Sequence, residues 1–174
     1  MIAMTTIART RSDPLHEQVV FLFFSIVRSQ SLWFRKLLAP YDVTPRQYAV
    51  LIRLREGDGE TLVNLARHLY VDTTALSRTV SRMEIQGLIT RTRGAADRRT
   101  FQIELTPAGR TLLEAMQPQV VAARRQLLAG LNRRSLEELT DTLHAMLKNV
   151  AATREVDIPL DEIDPEESID SEES

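Results

Sequence analysis

Residues 65–91 read LARHLYVDTTALSRTVSRMEIQGLITR, and the fold turns on how this stretch divides. Thr61 and either Asp72 or Thr73 carry side-chain oxygens that can accept from the free N–H groups of a helix start. They predict one short helix through Leu69 and a second through Gln86, with only Tyr70 and Val71 between them. At about 100° per residue, Leu76, Thr79, Val80 and Met83 fall on one side of the second helix, and Thr74, Ser77, Arg78 and Ser81 on the other. The outward side is small, polar and basic. Short hydroxyl side chains let a helix approach base edges, and arginine offers guanine a bidentate fork, so this face suits a DNA major groove. Thr73 and Arg82 flank it as candidate phosphate contacts. A merely solvated helix would present a similar face, so the neighbouring elements decide.

Downstream of Gly87, Leu88 to Arg93 and Thr100 to Leu105 are strand-like, with Phe101, Ile103 and Leu105 alternating with polar residues as a half-buried strand requires. The hairpin tip between them, Gly94 to Arg99, gathers Arg93, Arg98 and Arg99 around Asp97. From Leu62 to Arg110 there are eight arginines against four acids, a basic balance suited to a polyanion. Thr106-Pro107 then starts a helix bearing Leu113, Met116, Val120, Leu127 and Leu131. Ser135 starts another, with Leu136, Leu139, Leu143, Met146 and Val150 in a narrow seam suited to packing against helices.

Upstream, Pro14 to Ala39 predicts one long helix closed by Pro40, with Leu15, Val19, Leu22, Phe23, Ile26, Leu32, Trp33 and Leu37 available for burial. Thr44 and Pro45 open a second helix, whose apolar side is Tyr48, Leu51, Ile52 and Leu54 and which Glu56-Gly57-Asp58-Gly59 stops.

The length of 174 residues fits one domain, and six glycines among 43% apolar residues favour a mostly helical chain. No window is long and apolar enough for a membrane span and no signal-peptide pattern follows Arg9 and Arg11, which predicts a cytoplasmic protein without membrane contact. With no cysteine, thiol-based redox sensing and thiolate metal sites are excluded. His16, His68 and His144 are scattered over separate helices, and neither a nucleophile motif nor a phosphate-binding glycine loop occurs. The expectation is no metal, no cofactor and no catalysis.

The net charge of −2 conceals a split: the stretch from Asp157 to Ser174 holds nine acids and no base. The 22 basic residues and the remaining acids, 24 less nine, leave residues 1–156 at a formal +7. Beyond Thr153 the prolines and carboxylates predict a disordered acidic tail, solubilising or, more sharply, competing with DNA for the arginines.

Three blocks, VTPRQYAVLIRL (43–54), LARHLYVDTTALSRTVSRMEIQGLITR (65–91) and DRRTFQIELTPAGR (97–110), resemble in order and spacing the MarR family of bacterial transcription factors. The similarity runs from Asp13 to Ala152 and is most discriminating in Asp97-Arg98-Arg99 followed by Leu105 to Arg110. Ile85, on the outward side of the second short helix, and the bland tip Gly94-Ala95-Ala96 depart from it. The resemblance implies a mostly α winged helix-turn-helix protein with a small β-hairpin wing, forming an interlocked homodimer. Residues 13–42 and 106–153 would be its dimerisation region, 43–105 the DNA-binding lobe, 1–12 a flexible lead and 154–174 the tail.

It further implies that Thr74, Ser77, Arg78 and Ser81 read the major groove of a pseudo-palindromic double-stranded operator. Arg98 and its wing neighbours would enter the minor groove, with Asp97 orienting arginine. By the same resemblance, Trp33 and Tyr48, with Arg28 or Arg46 as an anion partner, would line a pocket for a small aromatic or anionic effector that releases a repressor. The alternative is a helical protein-interaction module that retains the winged lobe.

Overall fold

The computed structural model describes residues 13–55, 59–93 and 101–153. Along them run α1 (Pro14–Leu38), a single 3-10 turn (Ala39–Tyr41), α2 (Pro45–Arg55), β1 (Glu60–Thr61), α3 (Leu62–His68), α4 (Thr73–Ile85), β2 (Ile89–Arg93), β3 (Phe101–Leu105), α5 (Pro107–Leu127) and α6 (Arg133–Ala152). The hairpin tip, the Glu56-Gly57-Asp58 stop and the acidic tail lie outside the described residues.

Side chains set the helix starts. Asp13 accepts from the Leu15 N–H at 2.9 Å with Pro14 next, Thr61 from Asn64 at 3.2 Å, Asp72 from Ala75 at 2.9 Å, and Thr106 from Gly109 at 3.1 Å. Asp72, not Thr73, is therefore the cap of α4. The last helix opens earlier than Ser135: Asn132 accepts from the Ser135 N–H at 2.9 Å, so Ser135 lies inside the first turn. The earlier start also places Arg133 and Arg134 one turn from Glu137 and Glu138, each pair at 2.9 Å.

The sheet is antiparallel with β3 in the middle. Glu60 lies opposite Ile103 on one side, and Ile89 opposite Leu105 and Arg93 opposite Phe101 on the other. β1 was not expected, because two residues cannot display alternation. Ile103 and Leu105 are buried as the alternation predicts, but Phe101 is 52% exposed. It stands at the far end of β3 beside Arg93, beyond the cover of the helices.

One core joins these layers. Leu51 and Leu54 of α2, Leu65 of α3, Leu76, Val80 and Met83 of α4, Ile89 and Ile103 of the sheet, and Leu113 and Met116 of α5 pack together with Leu38 and Val43. Within the single chain, only Leu38 of the apolar residues of α1 is buried. Leu15, Val19, Leu22, Phe23, Ile26 and Leu32 are exposed, and Trp33 and Leu37 are half-buried. Leu127, Leu131, Leu139, Leu143 and Val150 are likewise exposed. These side chains follow helical spacing, but the described residues leave them uncovered.

Beyond the shared core, Thr106 ties the lobe to the start of α5. The Thr106 hydroxyl donates to the Gly87 carbonyl at 2.7 Å, and the Thr106 N–H donates to the Leu88 carbonyl at 3.1 Å. Gly109, buried in the first turn of α5, lies so close that a Cβ there would sit 2.2 Å from the Leu88 carbonyl oxygen.

Candidate nucleic-acid interface

The joint between α3 and α4 is tight because Tyr70 adopts a left-handed backbone at φ 51°. Its N–H donates to the Arg67 carbonyl at 3.2 Å, and that of Val71 to the Ala66 carbonyl at 3.0 Å. The chain thereby reverses in two residues and delivers Asp72 as the cap of α4. With Leu76, Val80 and Met83 fully buried, the rotation of α4 about its axis is fixed.

That rotation brings the expected face together. Thr73, Thr74, Arg78 and Arg82 are exposed, and Ser77 and Ser81 half-buried. Ile85, at the end of the same stripe, is 88% exposed. Arg78 and Arg82 have no ion pair among the described residues, so their guanidinium groups face solvent. Arg93 is exposed at the end of β2. Asp97, Arg98 and Arg99 lie outside the described residues.

Two site features escaped the sequence reading. Arg91 of β2 reaches α4, where a terminal guanidinium nitrogen donates to the Ser81 hydroxyl at 3.0 Å and Nε lies 3.5 Å from a Glu84 carboxylate oxygen. The available signal was its position two residues after the buried Ile89, on the same face of the strand. The second is Gln47, a buried amide. Its carbonyl oxygen accepts from the Thr44 N–H at 2.9 Å while the Thr44 hydroxyl accepts from the Gln47 N–H at 3.2 Å. Its amide nitrogen donates to the Gln86 side chain at 2.9 Å, tying the start of α2 to the end of α4. The Thr-x-x-Gln spacing of a capping box was its signal. Nearby, Glu60 joins α2 to α3 by meeting Arg53 at 2.5 Å and His68 at 3.1 Å.

On the other side of α2, the Tyr48 ring meets Phe34 edge to face at 5.1 Å between centroids. Burial raises the Tyr48 hydroxyl above its ordinary pKa, and the charges of Arg124 and Arg55 oppose that rise. Trp33 is half-buried, while Arg28 and Arg46 are exposed. Among the described residues no helix is long and apolar enough to cross a membrane, and no group of three His, Asp or Glu could hold a metal ion.

Residues 43–101 match the model of the MarR family. The chain is 32% identical over 139 residues to the organic hydroperoxide resistance transcriptional regulator of Bacillus subtilis, an alignment covering 78% of this chain and 91% of the relative. The chain belongs to the MarR family. A MarR relative at 25% identity over 147 residues is the homoprotocatechuate degradative operon repressor of Escherichia coli, aligned over 84% of this chain and 99% of the relative. The crystal structure of CouR from Rhodococcus jostii bound to p-coumaroyl-CoA superposes with a TM-score of 0.70 at 26% identity, covering 78% of this chain and 95% of that one. The MarR assignment makes the protein a transcriptional regulator with a winged-helix fold.

Proposed function

We propose that this MarR regulator is a cytoplasmic homodimeric repressor that inserts one α4 from each protomer into successive major grooves of a pseudo-palindromic operator. The supporting observation is the outward face of α4, where Arg78 and Arg82 are exposed beside small hydroxyl residues and form no ion pair among the described residues. Arg78 is assigned to a base edge with Thr74, Ser77 and Ser81 around it, and Thr73 and Arg82 to phosphates. Arg93, Arg98 and Arg99 are assigned to the wing's contacts, with Asp97 orienting arginine. Selection from a randomised duplex pool tests this reading. Enrichment of an inverted repeat with half-sites roughly one helical turn apart, and a steep salt dependence, is the expected result. Failure to enrich any sequence would overturn it.

The dimer reading is supported by the apolar surface that α1 leaves open, with Phe21 69% and Phe24 65% exposed. Monomeric soluble proteins rarely carry so continuous a patch, and α6 offers Leu139, Leu143 and Val150 as a second apolar seam. Sedimentation equilibrium is expected to give twice the 19.8 kDa chain mass. The double substitution Phe21→Glu with Phe24→Glu should return it to the single-chain mass, and an unchanged mass would remove α1 from the interface.

Effector release is supported by the aromatic corner of Phe34 and Tyr48 beside the charges of Arg124 and Arg55, with Trp33 half-buried on the same helix as Phe34. CouR's ligand combines an aromatic acyl group with a phosphate-bearing carrier, a chemistry such a corner would suit. An effector that favours one spacing of the two lobes shifts the operator equilibrium by its differential affinity. Aromatic carboxylates or their thioesters, titrated against the protein–DNA complex, should weaken it at saturation. Undiminished DNA affinity with ligand bound rejects the idea.

A further inference from the structure

Ser81 sits on the face of α4 assigned to the bases, yet its oxygen is already engaged: it accepts a hydrogen bond of 3.0 Å from the Arg91 guanidinium. A serine hydroxyl has one proton and two lone pairs. A charged donor on one lone pair withdraws electron density from the oxygen, which weakens it as an acceptor and strengthens its O–H as a donor. Arg91 is held in turn, with Nε 3.5 Å from the Glu84 carboxylate one helical turn beyond Ser81 and its side chain 31% exposed. That carboxylate offsets part of its charge, and the strand carries it on the same face as the buried Ile89, toward α4. Arg91 thus meets the recognition helix itself, unlike Arg78 and Arg82, which are exposed on that helix.

We propose that Arg91 is a positioning residue that commits Ser81 to donating its proton to the DNA, so that the base whose edge faces Ser81 is chosen for presenting an acceptor at that point of the major groove. The acceptors available there are N7 of either purine, O6 of guanine and O4 of thymine, while the amino groups of cytosine and adenine are rejected. Arg91 contacts no base and no phosphate in this arrangement. Its effect on specificity passes through one hydroxyl.

The inference rests on α4 reading the major groove, and the test separates the two. The wild-type protein is first used to select its operator, and if it selects none, the DNA-binding reading itself fails. Given an operator, Ser81→Ala should flatten the preference at one base pair per half-site, locating the position, where a discrimination of roughly tenfold is expected in the wild type. Duplexes carrying analogues that delete N7, O6 or O4 at that position should lose the same factor with the wild type and lose nothing further with Ser81→Ala. Arg91→Met, which keeps an unbranched apolar stem and removes the donors, should flatten the same position alone. Its affinity at other positions and its salt slope should stay as in the wild type.

Glu84→Ala serves as a second variant should Arg91→Met fail to fold, and it should weaken the same preference by loosening the guanidinium. An even loss across all sequences with a salt slope smaller by about one per site would make Arg91 a phosphate contact and overturn the proposal. So would a wild-type position sensitive only to deletion of an amino group, or a Ser81→Ala variant with every preference intact.

Discussion

Arg78→Ala is expected to weaken operator binding by roughly 30-fold to 20,000-fold at constant salt. A bidentate arginine–guanine pair contributes about 1–3 kcal/mol of discrimination. A two-fold dimer loses it twice, or about 2–6 kcal/mol, at roughly 1.4 kcal/mol per tenfold. The pattern of loss is as informative as its size. Preference for guanine at one position per half-site should vanish while binding to unrelated duplex falls far less. Arg82→Ala is expected to behave differently, lowering affinity evenly across sequences and reducing the salt slope by about one per phosphate contact. Fluorescence anisotropy on the selected operator and on single-base variants, across a salt series, separates the two patterns. An Arg78→Ala protein that retains both affinity and base preference would remove α4 from the base-reading role.

Gly109→Ala is the substitution expected to cost the most stability. The added methyl would lie 2.2 Å from the Leu88 carbonyl oxygen and 2.8 Å from a Leu105 methyl. Neither a backbone carbonyl nor a buried strand residue yields easily in an interior packed to crystal density. Overpacking typically costs about 1–3 kcal/mol, and a contact this short against backbone belongs at or above the top of that range. For a domain of this size each kcal/mol lowers Tm by roughly 2–4 °C, so a fall of about 6–12 °C is expected at fixed protomer concentration. Gly130 makes a natural control. It stands at φ +87° with nothing within 4 Å of a Cβ, so Gly130→Ala meets backbone strain but no collision. Calorimetry finding equal small losses at both positions would show that α5 slides away from the sheet at little cost.

Much of this fold was legible because its boundaries are written in single residues. Thr61, Asp72 and Thr106 each accept the N–H that a cap should, and the positions of Leu76, Val80 and Met83 set the rotation of α4. What stayed hidden falls into two kinds. What covers the apolar face of α1 was hidden because helical spacing reports that a face is apolar without reporting its cover, and for Leu22 or Ile26 no described residue supplies one. The contacts of Arg91 and Gln47 were missed because they cross from one element to another: Ser81 and Arg91 are ten residues apart, Gln47 and Gln86 thirty-nine. Such pairings depend on tertiary geometry, which local pattern does not encode. The stripe of Thr74, Ser77, Arg78 and Ser81 was recoverable because it lies on one helix.

The Gln47 amide bears on how this regulator can be switched at all. Together with the core beneath α4, its bond to Gln86 fixes the recognition helix to the start of α2 at both a greasy contact and a polar one. A helix held at two such points cannot pivot within its lobe without leaving a buried amide unsatisfied, at a cost of about 1–3 kcal/mol. In the proposed dimer each lobe would therefore move as a block, and a bound effector would alter the ruler between two fixed readers. The letters each half of the proposed operator must carry would stay constant, while the gap between them would become the regulated quantity.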